Sequence, residues 1–253
     1  MKEQANEHIL RFDWQNRIRS VKRDQWDRLA RPMKSPFLEW DWLNLMEGSG
    51  SIAPKTGWIP NHLTVWSGRR LVAAAPLYIK LHSEGEFVYD YAWAEAAARI
   101  GVKYYPKMIG MSPVTPLSGY RFLVDPELDE EKLTATMVSE IDRFCLEHGL
   151  SACNFLFIDP SWRFLMERLG RHTWVHQSFT WKNRGFESFE DYLSQFKTNQ
   201  RRNIRRERKA LEKQGLLLKT YFEEEIPEEY FDYMYDFYVL TNDKFGPWGC
   251  KYL

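Results

Sequence analysis

Between His82 and Tyr91 the stretch LHSEGEFVYDYAW places His82, Glu84, Glu86, Tyr89, Asp90 and Tyr91, and YYPK adds Tyr104, Tyr105 and Lys107. These are groups that take up, hand on or hold protons. A carboxylate among aromatic rings has its ionised form disfavoured and can act as a general base. Transfer of an acyl group to an amine needs such a base, a stabiliser for the developing oxyanion and an activated donor, with no obligatory covalent intermediate. His82, Glu84, Glu86 and Tyr89 are the candidates for that chemistry. If the stretch is a strand, Glu84, Glu86 and Val88 share one face, and Phe87, Tyr89 and Tyr91 the other. The competing reading makes the glutamates solvated rim residues and the tyrosines core residues with satisfied hydroxyls, as is usual for buried polar groups.

A second constellation is FKTNQRRNIRRERKALEKQG, with eight Lys or Arg and two Glu between Lys197 and Lys213. Rotating each residue by about 100° puts Leu193, Ile204 and Leu211 on one stripe with Phe196 beside it, and Arg202, Arg205, Arg206, Lys209 and Lys213 opposite. Glu212 can pair with Arg208 and Lys209 one turn away, whereas Glu207 faces Asn203, Ile204, Ala210 and Leu211. The acidic run EEEIPEE (residues 223–229) is one way to neutralise the remaining cations. Otherwise Lys197, Arg201, Arg202, Arg205 and Arg206 form a phosphate-binding set, arginine being suited to bidentate contacts. Tyr104, Tyr105 and Lys107 are further candidates for substrate or phosphate contact.

Other chemistries find less support. No HxH or HxxxH spacing accompanies His82; His172 and His176 are four apart but on an expected strand, where they would not share the face a helix gives them; and the three cysteines lack CxxC spacing, so no metal site is expected. GxSxG, GxxxxGK[ST] and a strand-borne GxGxxG are missing, which argues against a serine nucleophile, nucleotide hydrolysis and dinucleotide binding. With 35 basic and 35 acidic residues, any anion recognition must be local. Scattered cysteines point to a reducing compartment, and neither an apolar leader nor a run of about 18 apolar residues is seen, so a cytoplasmic location is expected.

The elements that must position these groups follow from periodicity. Residues 8–12 suggest a strand, and helices are expected after Ser20 and from Ser35 with Pro36 at the first turn. Residues 62–66 and 70–82 form an expected hairpin around Ser67 and Gly68, with Pro76 marking a bulge or edge. Residues 86–93 suggest another strand before the helix WAEAAARIG. MSPVTPLSG (residues 111–119) is either a pocket lip or a rigid surface turn. Residues 129–148 are the clearest helix, with Leu133, Met137, Ile141, Phe144 and Leu146 as its apolar face. A buried strand SACNFLFID and a short helix follow. Trp40, Trp42, Leu43 and Met46 have the spacing of a packed helix face. Beyond Arg171 the order strand, helix, helix recurs: residues 171–183, the basic helix, a strand over 216–222 and a helix over IPEEYFDYMYDFYVLTNDK. The expectation is an α/β (α+β) chain of two domains, residues 1–170 and 171–253, the second an incomplete copy of the first.

The blocks GWIPNHLTVW, APLYIKLHSEGEFVYDYAWAEAAARIGVKYYPKMIGMSPVTPLSGYRFL and WKNRGFESFEDYLSQFKTNQRRNIRRERKALEKQG resemble the FemAB-like family of the GNAT acyltransferase superfamily, over residues 35–253. The resemblance implies tandem GNAT-like units with mixed central sheets flanked by helices, and a longer natural chain. It also implies an N-acyltransferase using aminoacyl-tRNA or acyl-CoA as donor, with tRNA or a lipid-linked cell-wall precursor as a phosphate-bearing partner. The pyrophosphate-gripping [RQ]xxGx[GA] loop of acetyl-CoA users is not evident. A non-catalytic protein that uses this fold and the basic helix to recognise a polyanion or cell-wall precursor is the alternative.

Overall fold

The computed structural model describes residues 10–246 and 249–252. The chain divides into two compact units, Met1–Thr173 with Trp248–Leu253, and Trp174–Pro247. The expected first strand falls partly on residues 8 and 9, outside the described residues; β1 runs Leu10–Gln15.

In the first unit β1 is followed by α1 (Arg23–Ala30), α2 (Trp40–Gly48), β2 (Trp58–Pro60), β3 (His62–Ser67), β4 (Arg70–Ala75) and β5 (Leu77–Lys80). Then come α3 (Tyr91–Arg99), β6 (Lys107–Gly110), β7 (Leu123–Val124), α4 (Glu130–Glu147), β8 (Cys153–Phe155) and α5 (Pro160–Arg168). One sheet has the order β1-β3-β4-β7 and is antiparallel throughout; the other, β2-β5-β6-β8, is mixed because β6 and β8 run parallel. The chain expected as one strand over residues 70–82 changes sheets at Pro76. Proline has no amide hydrogen to donate to a ladder, so β4 ends in one sheet and β5 begins in the other. The Pro76 carbonyl accepts instead from the Tyr120 hydroxyl, 2.9 Å away.

Helix starts show how tertiary contacts override local signals. Asp129 and Asp159 cap α4 and α5 through their own side chains, as their types favour. Ser20 and Ser35 do not cap. Residues 36–38 form a 3-10 turn, and α2 starts at Trp40, whose amide donates to Oδ1 of the buried Asp27 at 2.8 Å. Leu43 and Met46 of α2 are buried and Trp40 and Trp42 half-buried. On α4, Leu133, Met137, Ile141 and Phe144 are buried, but Leu146 is 82% exposed, since two residues beyond Phe144 is about 200° around the helix. Leu43, Leu133, Met137, Ile141 and Phe144 join Trp26, Leu63, Val65 and Trp162 in the main core, where each fully buried leucine or valine contributes about 1.5–3 kcal/mol.

The expected strand over residues 86–93 does not form. Gly85 and Phe87 have φ of +79° and +55°, which an extended chain cannot contain, and α3 starts at Tyr91. Residues 83–90 are therefore a folded loop, and the strand alternation expected for Glu84 and Glu86 is lost.

In the second unit α6 (Phe189–Ser194), α7 (Thr198–Glu212) and α8 (Glu229–Asp243) are formed. Residues 171–183 and 216–222 were expected as strands, yet no strand occurs there among the described residues. A strand exists only when its backbone finds a ladder partner; here Phe179 and Leu217 are each 90% exposed. Among the described residues no helix is long and apolar enough to cross a membrane, and no group of His, Cys, Asp or Glu could hold a metal ion.

Candidate active site

β5 and β6 pair antiparallel with Lys80 opposite Lys107. Lysine at such a position in an apolar strand must find partners or lose its charge. Lys107 finds three: Nζ donates to Ser83 Oγ at 2.8 Å, Glu86 Oε2 at 2.8 Å and Asp90 Oδ2 at 2.6 Å. An ammonium has three donors, so this one is saturated. The folded loop exists to bring those acceptors inward, which is why Glu86 and Asp90 are buried instead of lying on a strand face.

Hydroxyls connect the cluster outward. Tyr104 donates to Asp90 Oδ2 at 2.7 Å, and the Tyr105 hydroxyl lies 2.7 Å from Ser83 Oγ. Both tyrosines are half-buried. Glu86 Oε1 and Asp90 Oδ1 are buried without a partner. Burial pushes the Glu86 carboxyl up, against the pull of Lys107. Burial acts on Asp90 in the same sense, but hydrogen bonds from Lys107, Ser83 and Tyr104 outweigh it and hold that carboxyl below its usual range. Burial, followed by the Asp90 hydrogen bond, pushes the Tyr104 phenol well up.

Lys80 takes the other course. Its Nζ sits 3.6 Å above the Trp58 ring and donates to the Glu84 carbonyl at 2.9 Å. Burial, with Lys107 nearby, pushes it down to about 7 despite the attraction of Glu86 and Glu84. With Lys80 neutral, Lys107, Glu86 and Asp90 sum to one negative charge; with Lys80 protonated the cluster is neutral.

The remaining expected residues lie at the rim or outside. His82 Nδ1 accepts from the Glu84 amide at 3.2 Å, and the ring also bonds the Thr56 backbone. Burial and Lys80 keep the imidazole below its usual range, so both nitrogens of the neutral ring are engaged. The Glu84 carboxylate is exposed, 4.0 Å from His82. Tyr89 is 79% exposed and outside the cluster. The structure thus assembles Glu86, Tyr104, Tyr105 and Lys107 with Asp90, which the sequence placed in the same constellation without a role, and adds Lys80, Ser83 and Trp58, which sequence reasoning did not select. The available signal was a lysine closing each of two apolar strands, LYIK and KMIG read toward their paired ends.

A cavity of about 630 Å³ lies elsewhere in this unit, beside the start of α4. Its charges pair among themselves: Arg70 with Asp125 at 2.6 Å and Glu127 at 2.9 Å, and Lys132 with Asp129 at 3.5 Å. The α4 N-terminus is capped by Asp129 and followed by Glu130 and Glu131, which makes it unsuited to a phosphate. Chemistry, more than volume, favours the lysine cluster.

The basic set belongs to the second unit. None of α7 is buried; Ile204 is half-buried and Leu211 47% exposed, so the expected apolar stripe is only partly covered. Arg205 Nη2 pairs with Glu190 Oε2 at 2.5 Å. Among the described residues no ion pair joins α7 to residues 223–229, and Glu212 pairs with neither Arg208 nor Lys209. The partner the sequence did not suggest is Glu190, on α6 and remote in helical register. Lys197, Arg201, Arg202 and Arg206 lie along or just before this helix without an ion pair among the described residues.

A family model for FemAB-like proteins, described as peptidoglycan biosynthesis/recognition, matches residues 17–253. The chain belongs to the FemAB-like family. No curated protein matches the chain. Among solved structures, the FemAB-like chain is similar to a GCN5-related N-acetyltransferase from Ralstonia eutropha JMP134, at 12% identity and a TM-score of 0.41 over 68% of this chain and 97% of that one. It is also similar to the aminoglycoside N-acetyltransferase AAC(6')-Iy in complex with CoA, at 10% identity and a TM-score of 0.44 over 72% and 99%. Glucosamine-6-phosphate N-acetyltransferase from Arabidopsis thaliana is similar at 9% identity and a TM-score of 0.37 over 68% and 99%.

Proposed function

We propose that this FemAB-like chain serves as an N-acyltransferase, moving an acyl or aminoacyl group from aminoacyl-tRNA or acyl-CoA to an amine in cytoplasmic peptidoglycan precursor metabolism. Family membership over residues 17–253 supports the reaction class. The observation that carries the reading is the hydroxyl path from half-buried Tyr105 through Ser83 to the carboxylates around Lys107. As the amine attacks the acyl carbonyl, its nitrogen must shed a proton. Tyr105 takes that proton while passing its own to Ser83, and Ser83 passes its own to Asp90. Collapse of the tetrahedral intermediate then expels the tRNA hydroxyl or the thiol, which takes that proton back from Asp90 along the same path through Ser83 and Tyr105, so the relay ends as it began. Lys107 keeps Glu86 and Asp90 in place.

The test offers labelled aminoacyl-tRNA and acyl-CoA to the full protein with amine acceptors and looks for an amide. Tyr105→Phe, which removes the accepting hydroxyl, should lower kcat by roughly 10²-fold or more while leaving KM nearly unchanged. Absence of amide with every donor, combined with salt-sensitive polyanion binding, would favour the non-catalytic reading, which the wholly exposed cationic face of α7 supports.

A further inference from the structure

The second unit holds a feature that the acyl-transfer scheme does not use. Trp181, Phe186, Phe189 and Tyr192 surround a cleft of about 450 Å³ together with Asn183. Tyr192 stands edge-on to Trp181 and Phe186, with centroids at 5.9 and 5.5 Å, and braces them. Trp181 and Phe186 lie nearly parallel with centroids 6.3 Å apart and Arg208 covers Phe189, yet Trp181 remains 64% exposed, so the open aromatic surface of the cleft is chiefly that of Trp181.

Cations crowd the same rim. The Arg208 guanidinium lies 4.1 Å from the Phe189 centroid, and Arg205 holds Glu190, the residue next to Phe189. Glu190 is also drawn down by Arg201 and Arg208. Three guanidinium groups therefore meet one carboxylate and leave two positive charges over. Arg201 Nε is buried with no partner. At the cleft wall, Asn183 Oδ1 accepts from the Gly185 and Phe186 amides at 3.0 and 3.1 Å, which leaves its amide NH₂ as a donor.

An open aromatic face, an amide donor and surplus guanidinium groups fit few ligands together. An acyl chain has no use for the arginines, and a bare phosphate has none for the rings. We propose that this cleft is a nucleotide-binding site, in which a nucleobase stacks on the exposed ring of Trp181, Asn183 donates to a base acceptor, and Arg201 and Arg208 hold the phosphates. The assignment of that nucleotide to a donor or acceptor rests on the acyltransferase reading; its binding does not. The shared chemistry is a base carrying phosphate, whether it comes from a tRNA end, coenzyme A or a nucleoside diphosphate conjugate.

Calorimetric titration of the full protein with ADP, UDP, CoA, a short CCA-ended RNA and inorganic pyrophosphate separates these sources. At least one nucleotide should bind about tenfold or more tightly than pyrophosphate, the excess being the stacking contribution. Trp181→Ala should remove most of that excess, Trp181→Phe should retain it, and Arg201→Ala with Arg208→Ala should weaken binding and flatten its salt dependence. Trp181 is largely exposed, so its replacement leaves little packing to lose. Nucleotides that bind no better than pyrophosphate, or binding indifferent to Trp181→Ala, would overturn the proposal. Nucleotide binding without amide formation would defeat the acyltransferase reading alone, and amide formation indifferent to these variants would defeat only the assignment of the bound nucleotide to donor or acceptor.

Discussion

Lys80 and Lys107 are register partners across β5 and β6, equally buried, and end in opposite circumstances. Lys107 meets three oxygens, two of them carboxylates; Lys80 meets one carbonyl and the face of Trp58. Paired lysines in a low-dielectric interior repel, and the one without carboxylate contacts is the one that yields its proton. That division leaves Lys80 as the group burial pushes down to about 7.

Removing the charge at the centre should be costly. Lys107→Met leaves Glu86 and Asp90 buried without their cation, and breaking a buried pair this way costs about 3–5 kcal/mol. Adding Glu86→Gln and Asp90→Asn should recover a large part of the loss. Urea unfolding midpoints of the single and triple variants measure both. A single variant as stable as the parent would mean that the network contributes no net stability.

Lys80 predicts a pH dependence of definite sign. Unfolded, a lysine keeps its proton to about 10.4; folded, Lys80 gives it up at about 7. Between these values the unfolded chain binds more protons, so raising the pH favours folding, with a limiting slope of about 1.4 kcal/mol per pH unit. Below pH 7 both states are protonated and the penalty is fully present and constant. Lys80→Met should abolish this contribution, read as the difference between the two proteins' stabilities from pH 7 to 10.

Gly57 is required by its neighbour. It sits at φ +72°, and a Cβ there would lie 2.0 Å from His82 Nε2. Gly57→Ala should destabilise by about 1–2 kcal/mol from backbone strain alone, plus the displacement of the imidazole. In the Gly57→Ala, His82→Ala double variant the steric part should disappear and the backbone part remain. A double-mutant cycle on thermal unfolding resolves the two, and strict additivity would refute the contact.

Glu190 restrains the basic helix. Glu190→Gln releases Arg205 and removes the acid that faces Arg201 and Arg208. Phosphate or polyanion binding should tighten severalfold at low salt with a steeper salt slope, while stability barely changes because the pair is exposed. Binding isotherms at several salt concentrations check this. Weaker binding in the variant would mean that Glu190 orients Arg205 for the ligand.

The legible parts of this molecule were those fixed within a few residues. The α4 face and its Asp129 cap, the turn at Gly68 and the helical run from Thr198 follow from period, side-chain type and local backbone freedom. Pro76 was legible as an interruption, though not as the point where the chain leaves one sheet for another. Other features depended on remote partners. The start of α2 is set by Asp27, the charge of Arg205 is met by Glu190, and residues 171–183 and 216–222 have strand-like composition without a ladder partner.

For the candidate site, the sequence by itself determined which groups could meet, because Glu86, Asp90, Tyr104, Tyr105 and Lys107 are close along the chain, and it determined that α7 would be cationic. Tertiary structure alone decided that Glu86 and Asp90 turn inward and that Lys80 joins them. It also decided that Tyr89 stays outside. The reason is energetic: a lysine buried at the start of β6 needs carboxylates, and a loop bent at Gly85 and Phe87 is what delivers them.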